Sequence, residues 1–198
     1  MTADVTSEAD RPPISAGLLG RHSLLGGVVV LGVALFYIVA VPVINGLVKG
    51  ENAFEVGQPY VAFDSYQFTP QEGWELESSN DLFVTLSKAG ANVIFTGLAP
   101  ADQTPDEVAR AAGAALSQDQ SNTWVVGEPV PFVTDAGDDG AMVASHTTNR
   151  ASEIWVITDG TSNLTVVATS PDAVWSSLSD EIDAMVKSVV FLPEGDSQ

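Results

Sequence analysis

The feature that most constrains this chain is a run of uncharged, mostly apolar residues from Ser23 to Val48. A helix rises ~1.5 Å per residue, so this run can cross the ~30 Å hydrocarbon core of a bilayer with some tilt. A cleaved signal peptide has an apolar stretch of only ~7–15 residues before a small-residue cleavage site. Here the run is longer, and Tyr37-Ile38-Val39-Ala40 places bulky residues near its end. We therefore expect a retained transmembrane helix.

The charges beside this run predict its orientation. Arg11 and Arg21 precede the run, and Lys49 follows it directly. Positive residues accumulate on the cytoplasmic side, so the N-terminus is expected in the cytoplasm and the rest of the chain outside a plasma membrane crossed once. The chain contains no cysteine, so it has no site for a lipid attached through that residue and the helix is expected to be the whole anchor.

The chain is strongly acidic. It contains 26 Asp and Glu against 7 Lys and Arg, a formal net charge of -19. Nucleic-acid phosphates and anionic lipid headgroups are repelled by a surface of this sign, and no basic stripe compensates. We therefore expect no nucleic-acid partner, and we interpret most of the carboxylates as a solvated surface.

Composition divides the chain into five parts. We expect a disordered cytoplasmic tail over 1–22, the transmembrane helix over 23–48 and a linker over 49–59. One extracytoplasmic domain is predicted over 60–193, followed by a frayed C-terminus over 194–198. The predicted domain is long enough to bury a full core, and it contains no internal repeat.

The first part of the domain predicts strands. A strand is expected over Val61–Phe68, followed by a turn over Pro70–Trp74. Apolar residues then alternate from Leu82 to Leu86, and this segment can pair with Val93–Thr96 across the turn Lys88-Ala89-Gly90.

A helix is then predicted from its start signal. Thr104 is the expected N-cap, Pro105 occupies the first helical position and Glu107 completes a capping box. One face of the predicted helix is apolar and mostly small, which suits close packing on a sheet. Its members are Val108, Ala111, Ala112, Ala115 and Leu116.

Five short β-branched segments follow and predict further strands. They are Trp124–Val126, Val130–Thr134, Ala141–Thr147, Ile154–Thr158 and Leu164–Thr169. The turn residues Asp138-Asp139-Gly140 and Asp159-Gly160 indicate hairpins between them.

A final helix is expected after Ser170-Pro171-Asp172. Its apolar stripe recurs every three or four residues, and three acidic residues lie off the stripe. The stripe contains Val174, Leu178, Ile182, Met185 and Val189, and the acidic residues are Asp180, Glu181 and Asp183. Consecutive hairpin strands with two helices predict the α+β class, with an antiparallel sheet flanked by helices.

The segment YQFTPQEGW, from Tyr66 to Trp74, followed by the Thr-Pro-Asp-Glu helix start and the run of hairpins, resembles the PsbP-like α/β/α sandwich. Members of that family usually end the opening strand with Pro-x-Gly-Trp, and this chain has one extra residue between Pro70 and Gly73. The resemblance extends to membrane-anchored actinobacterial envelope proteins of the TtfA and LpqN types, which are implicated with MmpL-type lipid exporters. It implies a role at the cell envelope beside a larger membrane protein.

The residue types that usually carry catalysis are scarce. The predicted domain has one histidine, His146, which alternation places on the same strand face as Met142 and Ala144. With no cysteine and a single histidine, neither a proton-transfer pair nor a zinc site can be built from the usual ligands. Asp135, Asp138 and Asp139 before Gly140 lack the alternating order of a calcium loop and are interpreted as a solvated hairpin. We expect no catalytic residues, metal or cofactor.

Four tryptophans are numerous for a small domain. Core packing explains Trp74, Trp124 and Trp175, and Trp175 is the strongest core candidate because it lies beside Val174. Trp155 could face either side of its strand.

Two classes of function remain. In the first, the domain is a non-catalytic binding or scaffold subunit that docks on a larger integral membrane complex, such as an MmpL-type lipid exporter or a respiratory supercomplex. In the second, it carries a small apolar or lipid ligand in the cell envelope. The lack of catalytic groups favours both over an enzyme, and the single-helix anchor favours the first.

Overall fold

The computed structural model describes Phe54, residues 57–118 and residues 123–193. The predicted tail, transmembrane helix and frayed C-terminus, with most of the linker, lie outside these residues. Within the described part of the chain, no helix is both long enough and apolar enough to cross a membrane.

The described residues form twelve strands and two helices. In chain order these are β1 (Tyr60–Ala62), β2 (Tyr66–Phe68), β3 (Glu75–Ser79), β4 (Phe83–Lys88), β5 (Ala91–Thr96), β6 (Ala99–Pro100), α1 (Pro105–Ser117), β7 (Val125–Val126), β8 (Val130–Val133), β9 (Asp139–His146), β10 (Arg150–Thr158), β11 (Ser162–Pro171), α2 (Asp172–Lys187) and β12 (Val190–Phe191).

The strands make two antiparallel sheets. The large sheet has the order β3-β4-β5-β11-β10-β9-β7, with β6 added beside β11 and β8 beside β9. The small sheet has the order β1-β2-β12, so that the last strand of the domain pairs with the second. The predicted α+β class, with an antiparallel sheet flanked by helices, is confirmed.

The helix α1 packs on one face of the large sheet, over β7, β9 and β10. Its capping box forms as predicted: Thr104 Oγ1 accepts from the Glu107 backbone N–H at 3.3 Å, and Glu107 Oε2 accepts from the Thr104 N–H at 3.0 Å. Four small or apolar residues of the helix are buried. They are Ala109, Ala112, Gly113 and Leu116. The buried stripe is therefore rotated slightly from the predicted one, because the side-chain-free Gly113 packs against Val126 and Val143.

The helix α2 packs on the opposite face, over β5, β10 and β11. Its predicted stripe is confirmed at Leu178, Ile182 and Met185, and Val189 is buried just beyond the helix end. Val174 is only partly buried. This face holds the larger of two separate apolar cores, so the fold is an α/β/α sandwich with a core on each side of one sheet.

Two strand predictions are wrong. The expected strand Val61–Phe68 is split into β1 and β2, because Phe63 and Asp64 adopt φ of 55° and 52° and end the extended run. The hairpin expected at Asp138-Asp139-Gly140 turns earlier, where the Thr134 N–H donates to the Asp138 carbonyl at 3.0 Å. Asp139 and Gly140 already belong to β9.

The predicted hairpin between β4 and β5 is confirmed. Lys88 pairs with Ala91, and the two residues between them, Ala89 and Gly90, have φ of 51° and 84°. Positive φ at both central positions is the geometry of a two-residue turn whose twist matches the strands.

Candidate docking site

An apolar strip of sheet lies beside α2 and is not covered by it. On β9, Met142 and Ala144 point to the α2 side, and Met142 pairs with Val130 of β8. Val125 of β7 pairs with His146 and points to the same side. Because α2 covers β5, β10 and β11, these outer strands lie beyond its edge. We call Val125, Val130, Met142 and Ala144 the β9 shelf.

Two valines of the shelf are exposed. Val125 is 56% exposed and Val130 46%. Isolated exposed valines are ordinary on a protein surface, but here Val125 and Val130 both pair along one edge of β9, on the face that carries Met142 and Ala144. Patches of this kind with a polar rim are typical of protein contact surfaces.

The rim of the shelf is acidic. Glu153 of β10 pairs with Ala144 and lies on the same face, between the shelf and α2. Desolvation by partial burial raises the pKa of Glu153, and the nearby carboxylate of Asp183 on α2 raises it further. Glu128, in the loop between β7 and β8, adds an exposed carboxylate. A partner that carries an apolar centre and basic residues around it would match this surface.

His146 lies at the end of the shelf, on the face that alternation predicted. It is exposed, and no carboxylate lies within ion-pair distance of it in the described part of the chain. This geometry offers no orienting partner for a general base.

The acidic hairpin before β9 is arranged by local bonds. Asp138 Oδ2 lies 3.3 Å from Thr134 Oγ1, and the Asp138 N–H donates to that oxygen at 3.0 Å. Asp135 and Asp139 are exposed. Among the described residues, no three His, Cys, Asp or Glu side chains are grouped so that they could hold a metal ion.

Three of the four tryptophans are buried in the two cores, and the fourth is only partly buried. Trp155 is 1% exposed and faces the α2 side, which settles the orientation that the sequence left open. Trp74 and Trp124 are buried as predicted. Trp175, the strongest core candidate by sequence, is only partly buried against the same core. It lies near the start of α2.

The shelf had no signal of its own in the sequence. Its alternating residues on β7, β8 and β9 read as ordinary strand residues. Their exposure depends on how far α2 extends across the sheet, which is a property of the packed fold.

Comparisons with known proteins agree with the architecture. No family model matches the chain, and no curated protein matches it. Among solved structures, the chain is similar to the cyanobacterial PsbP protein CyanoP from Synechocystis, with 14% identity, a TM-score of 0.54, and coverage of 75% of this chain and 99% of that one. It also matches LpqN of Mycobacterium tuberculosis, which is involved in cell envelope biogenesis, with 13% identity, a TM-score of 0.49, and coverage of 70% and 87%. At these identities the comparison with CyanoP establishes the fold: the domain is a PsbP-like α/β/α sandwich.

Proposed function

We propose that this protein is a membrane-anchored, extracytoplasmic docking subunit without catalytic activity, which binds a larger integral membrane protein of the cell envelope through the β9 shelf. The observation that carries the proposal is the exposed apolar patch around Val125 and Val130, bordered by Glu128 and Glu153.

The chemistry of the shelf specifies the partner. An apolar centre supplies most of the affinity when it is desolvated, and the charged rim supplies orientation and selectivity. The surrounding surface is acidic, in a chain with a formal net charge of -19. The matching surface is therefore an exposed loop or domain of a membrane protein that presents apolar side chains within a ring of Lys and Arg.

The anchor supports the same proposal. The uncharged run from Ser23 to Val48 would hold the domain at the membrane surface. A tether raises the effective concentration of a membrane-bound partner, so that a patch of moderate affinity can stay occupied.

The first experiment tests where the domain lies. A protease added to intact spheroplasts should digest the domain and spare an epitope fused before Met1. Protection of the domain, together with digestion after the membrane is opened, would contradict the proposed orientation.

The second experiment tests the shelf. Val125→Lys and Val130→Lys place a positive charge against the apolar centre expected on the partner and beside its basic ring, so recovery of the membrane protein in a detergent pull-down should fall. Leu82→Lys is the matched control, because Leu82 is 72% exposed and precedes β4. Four strand spacings separate β4 from β9, ~20 Å at ~4.8 Å each.

Equal recovery with all three variants would overturn docking through the shelf. Mass spectrometry of the purified chain tests the alternative function, that of a lipid carrier. If a stoichiometric lipid co-purifies and no protein does, the domain is a lipid carrier.

A further inference from the structure

The chain enters the domain at a fixed point on its surface. The ring of Phe54 packs edge-on against the ring of Tyr60, with centroids 5.4 Å apart, and Phe54 is partly buried against the larger core. The ring of Tyr60 lies 5.5 Å from that of Phe68, which is fully buried. Aromatic contacts of this geometry hold Phe54 on the domain, so the preceding chain leaves from a defined place.

The expected transmembrane helix ends close to this place in the sequence. Its last residue is Val48, six positions before Phe54. Six residues span at most ~20–22 Å when fully extended. With the helix in a bilayer, the part of the domain around Phe54 must therefore face the membrane surface.

A turn with an exposed leucine lies beside the entry point. The Tyr60 hydroxyl donates to Ser79 Oγ at 3.4 Å, and Ser79 is the last residue of β3. The turn from β3 to β4 follows directly and contains Leu82, which is 72% exposed. Val61, next to Tyr60 in β1, is 47% exposed. We call Phe54, Tyr60, Val61 and Leu82 the entry corner.

The backbone around Leu82 is well bonded. Asn80 Oδ1 accepts from the N–H groups of Leu82 and Phe83, at 2.8 and 3.1 Å. The Leu82 carbonyl accepts from the Gly97 N–H at 2.8 Å, just beyond β5. A side chain of asparagine that bonds the backbone two residues on is a common way to fix a turn. The turn therefore presents the leucine outward from a defined position.

We propose that the entry corner contacts the bilayer that holds the anchor, with Leu82 and Val61 inserted among neutral lipid headgroups. The contact rests on the proposed function, because only an anchored chain brings this corner to the membrane. Apolar side chains gain free energy on leaving water, and tyrosine is enriched at membrane interfaces because its ring is apolar at one end and polar at the other. One leucine binds a bilayer weakly, but a short tether keeps the local lipid concentration high.

Charge restricts the kind of lipid that fits. Asp81 precedes Leu82, Asp64 lies in the turn after β1, and both are exposed. The negative surface potential of anionic lipid repels carboxylates, so the corner fits zwitterionic headgroups such as phosphatidylcholine.

The contact also orients the β9 shelf. Five strand spacings of ~4.8 Å separate β4 from β7, so Val125 lies ~24 Å across the sheet from the strand that follows Leu82. The shelf then stays clear of the lipid and open to a protein partner. A detergent pull-down contains no bilayer, so Leu82 remains a suitable control for the shelf.

The sequence contains no cysteine, so single labels can test the contact. Leu82→Cys, labelled with the fluorophore NBD in the full-length chain, is reconstituted into phosphatidylcholine vesicles that contain a lipid with a nitroxide quencher near its headgroup. Ala89→Cys is the matched control, because Ala89 is exposed just beyond the opposite end of β4, seven residues or ~23 Å from Leu82. The label at position 82 should be quenched and its emission shifted to shorter wavelength, and the label at position 89 should show neither change.

Flotation of the same vesicles separates this contact from the anchor. If the chain floats and the two labels are quenched equally, the lipid contact is overturned, whereas the anchor and the shelf stand. A chain that does not float overturns the anchor, and the contact with it. A shift of the label at position 82 that needs the membrane partner and is absent in pure lipid would show a protein contact there and would also overturn the proposal.

Lipid charge and a second label complete the test. Replacing part of the phosphatidylcholine with phosphatidylglycerol should reduce quenching at position 82, and adding Asp81→Asn should restore it, because the repelled carboxylate is removed. No reduction would overturn the assignment to neutral lipid. Melting curves check that the labelled chains fold. If Leu82→Cys does not fold, Val61→Cys takes its place and should be quenched more than Ala89→Cys, and equal quenching of these two would overturn the contact.

Discussion

The indole Nε1 of Trp74 donates a hydrogen bond of 2.9 Å to Oε2 of Glu181. The same oxygen accepts from Lys88 Nζ at 2.6 Å, and that ammonium also donates to the Glu72 carbonyl at 2.7 Å. One carboxylate thus joins the turn before β3, the β4–β5 hairpin and α2. Burial raises the pKa of Glu181, but the bonds from Lys88 and Trp74 outweigh it, so that its pKa is lowered overall.

Glu181→Ala should lower the free energy of unfolding by about 1–2 kcal/mol. It removes two charge-assisted hydrogen bonds and leaves the N–H of Trp74, a residue only 1% exposed, without its acceptor. The Glu181 side chain is 35% exposed, so solvent screening keeps the loss well below that of a buried pair.

Asp180→Ala, on the exposed side of the same helix, is the control and should change stability by less than about 0.5 kcal/mol. Urea unfolding followed by circular dichroism measures both. The contribution of Glu181 to the free energy of unfolding should also decrease as the pH falls through the lowered folded-state pKa of Glu181, because protonation breaks both hydrogen bonds. A loss at pH 7 no greater than that of Asp180→Ala would contradict the structural role of this contact.

Glu153→Gln should stabilise the domain at pH 7. The folded-state pKa of Glu153 is raised by burial and then by Asp183, so the folded protein favours the neutral form. The stability that protonation gives is fully present below the unfolded pKa of ~4.3 and is lost as the pH rises through the folded pKa. Glutamine is neutral at every pH, so the gain should disappear below about pH 4.

Urea unfolding of the unchanged protein and of Glu153→Gln, at pH 7 and at low pH, measures whether the gain in stability depends on pH. Glu128→Gln is the control, since Glu128 is exposed. A gain from Glu153→Gln that persists unchanged at low pH would show a packing effect in place of the charge effect.

Leu178→Asp should destabilise the domain by several kcal/mol, because it places a carboxylate where the native side chain is 5% exposed in the α2-side core. Such a loss is a large share of the ~5–15 kcal/mol that stabilises a typical domain. Ser176→Asp makes the same kind of change on the exposed side of α2 and should have little effect. Thermal melts compare the two variants. Similar decreases in melting temperature would mean that α2 packs on the sheet through another face.

Gly140→Ala should destabilise the domain by about 1–3 kcal/mol, the usual cost of overpacking. A Cβ at this position would lie 2.6 Å from the Val156 carbonyl oxygen and 3.3 Å from Ile157 Cα. Both atoms belong to the backbone of β10, so the strand itself would have to move. Gly127→Ala, where the nearest atom lies at 3.3 Å, should cost less. Unfolding midpoints that coincide for the two variants would contradict the close approach of β9 and β10.

His146→Ala should leave recovery of the membrane partner near that of the unchanged protein, because the ring is exposed at the end of the shelf and no carboxylate among the described residues lies within ion-pair distance of it. Complementation in a strain without the native copy measures the role in the cell. Loss of function at a normal protein level would reveal a chemical role for this histidine.

Local signals predicted much of the fold. Thr104 and Glu107 identified the start of α1, and the spacing of Leu178 and Ile182 identified α2. Both signals could be recognised because helix caps and apolar stripes are formed by residues close together in the sequence. The β3 strand was missed because ELESS is polar and half-exposed on an edge. The short β12 was missed because its pairing with β2 joins residues more than a hundred positions apart.

The sites were harder to predict than the elements. The exposure of Val125 is not visible in a local pattern, because it depends on which strands α2 covers in the packed fold.

The pairing of β12 with β2 has a consequence for how the domain is made. Gln67 lies between Val61 on one side and Val190 on the other, so the small sheet closes only when the final residues of the domain are present. Until synthesis reaches Phe191, β2 has an unpaired edge. Such an edge is a template for wrong pairing. The nascent domain therefore depends on its last strand to leave the aggregation-prone state, and a ribosome that stalls shortly before the end would release a chain with that edge still open.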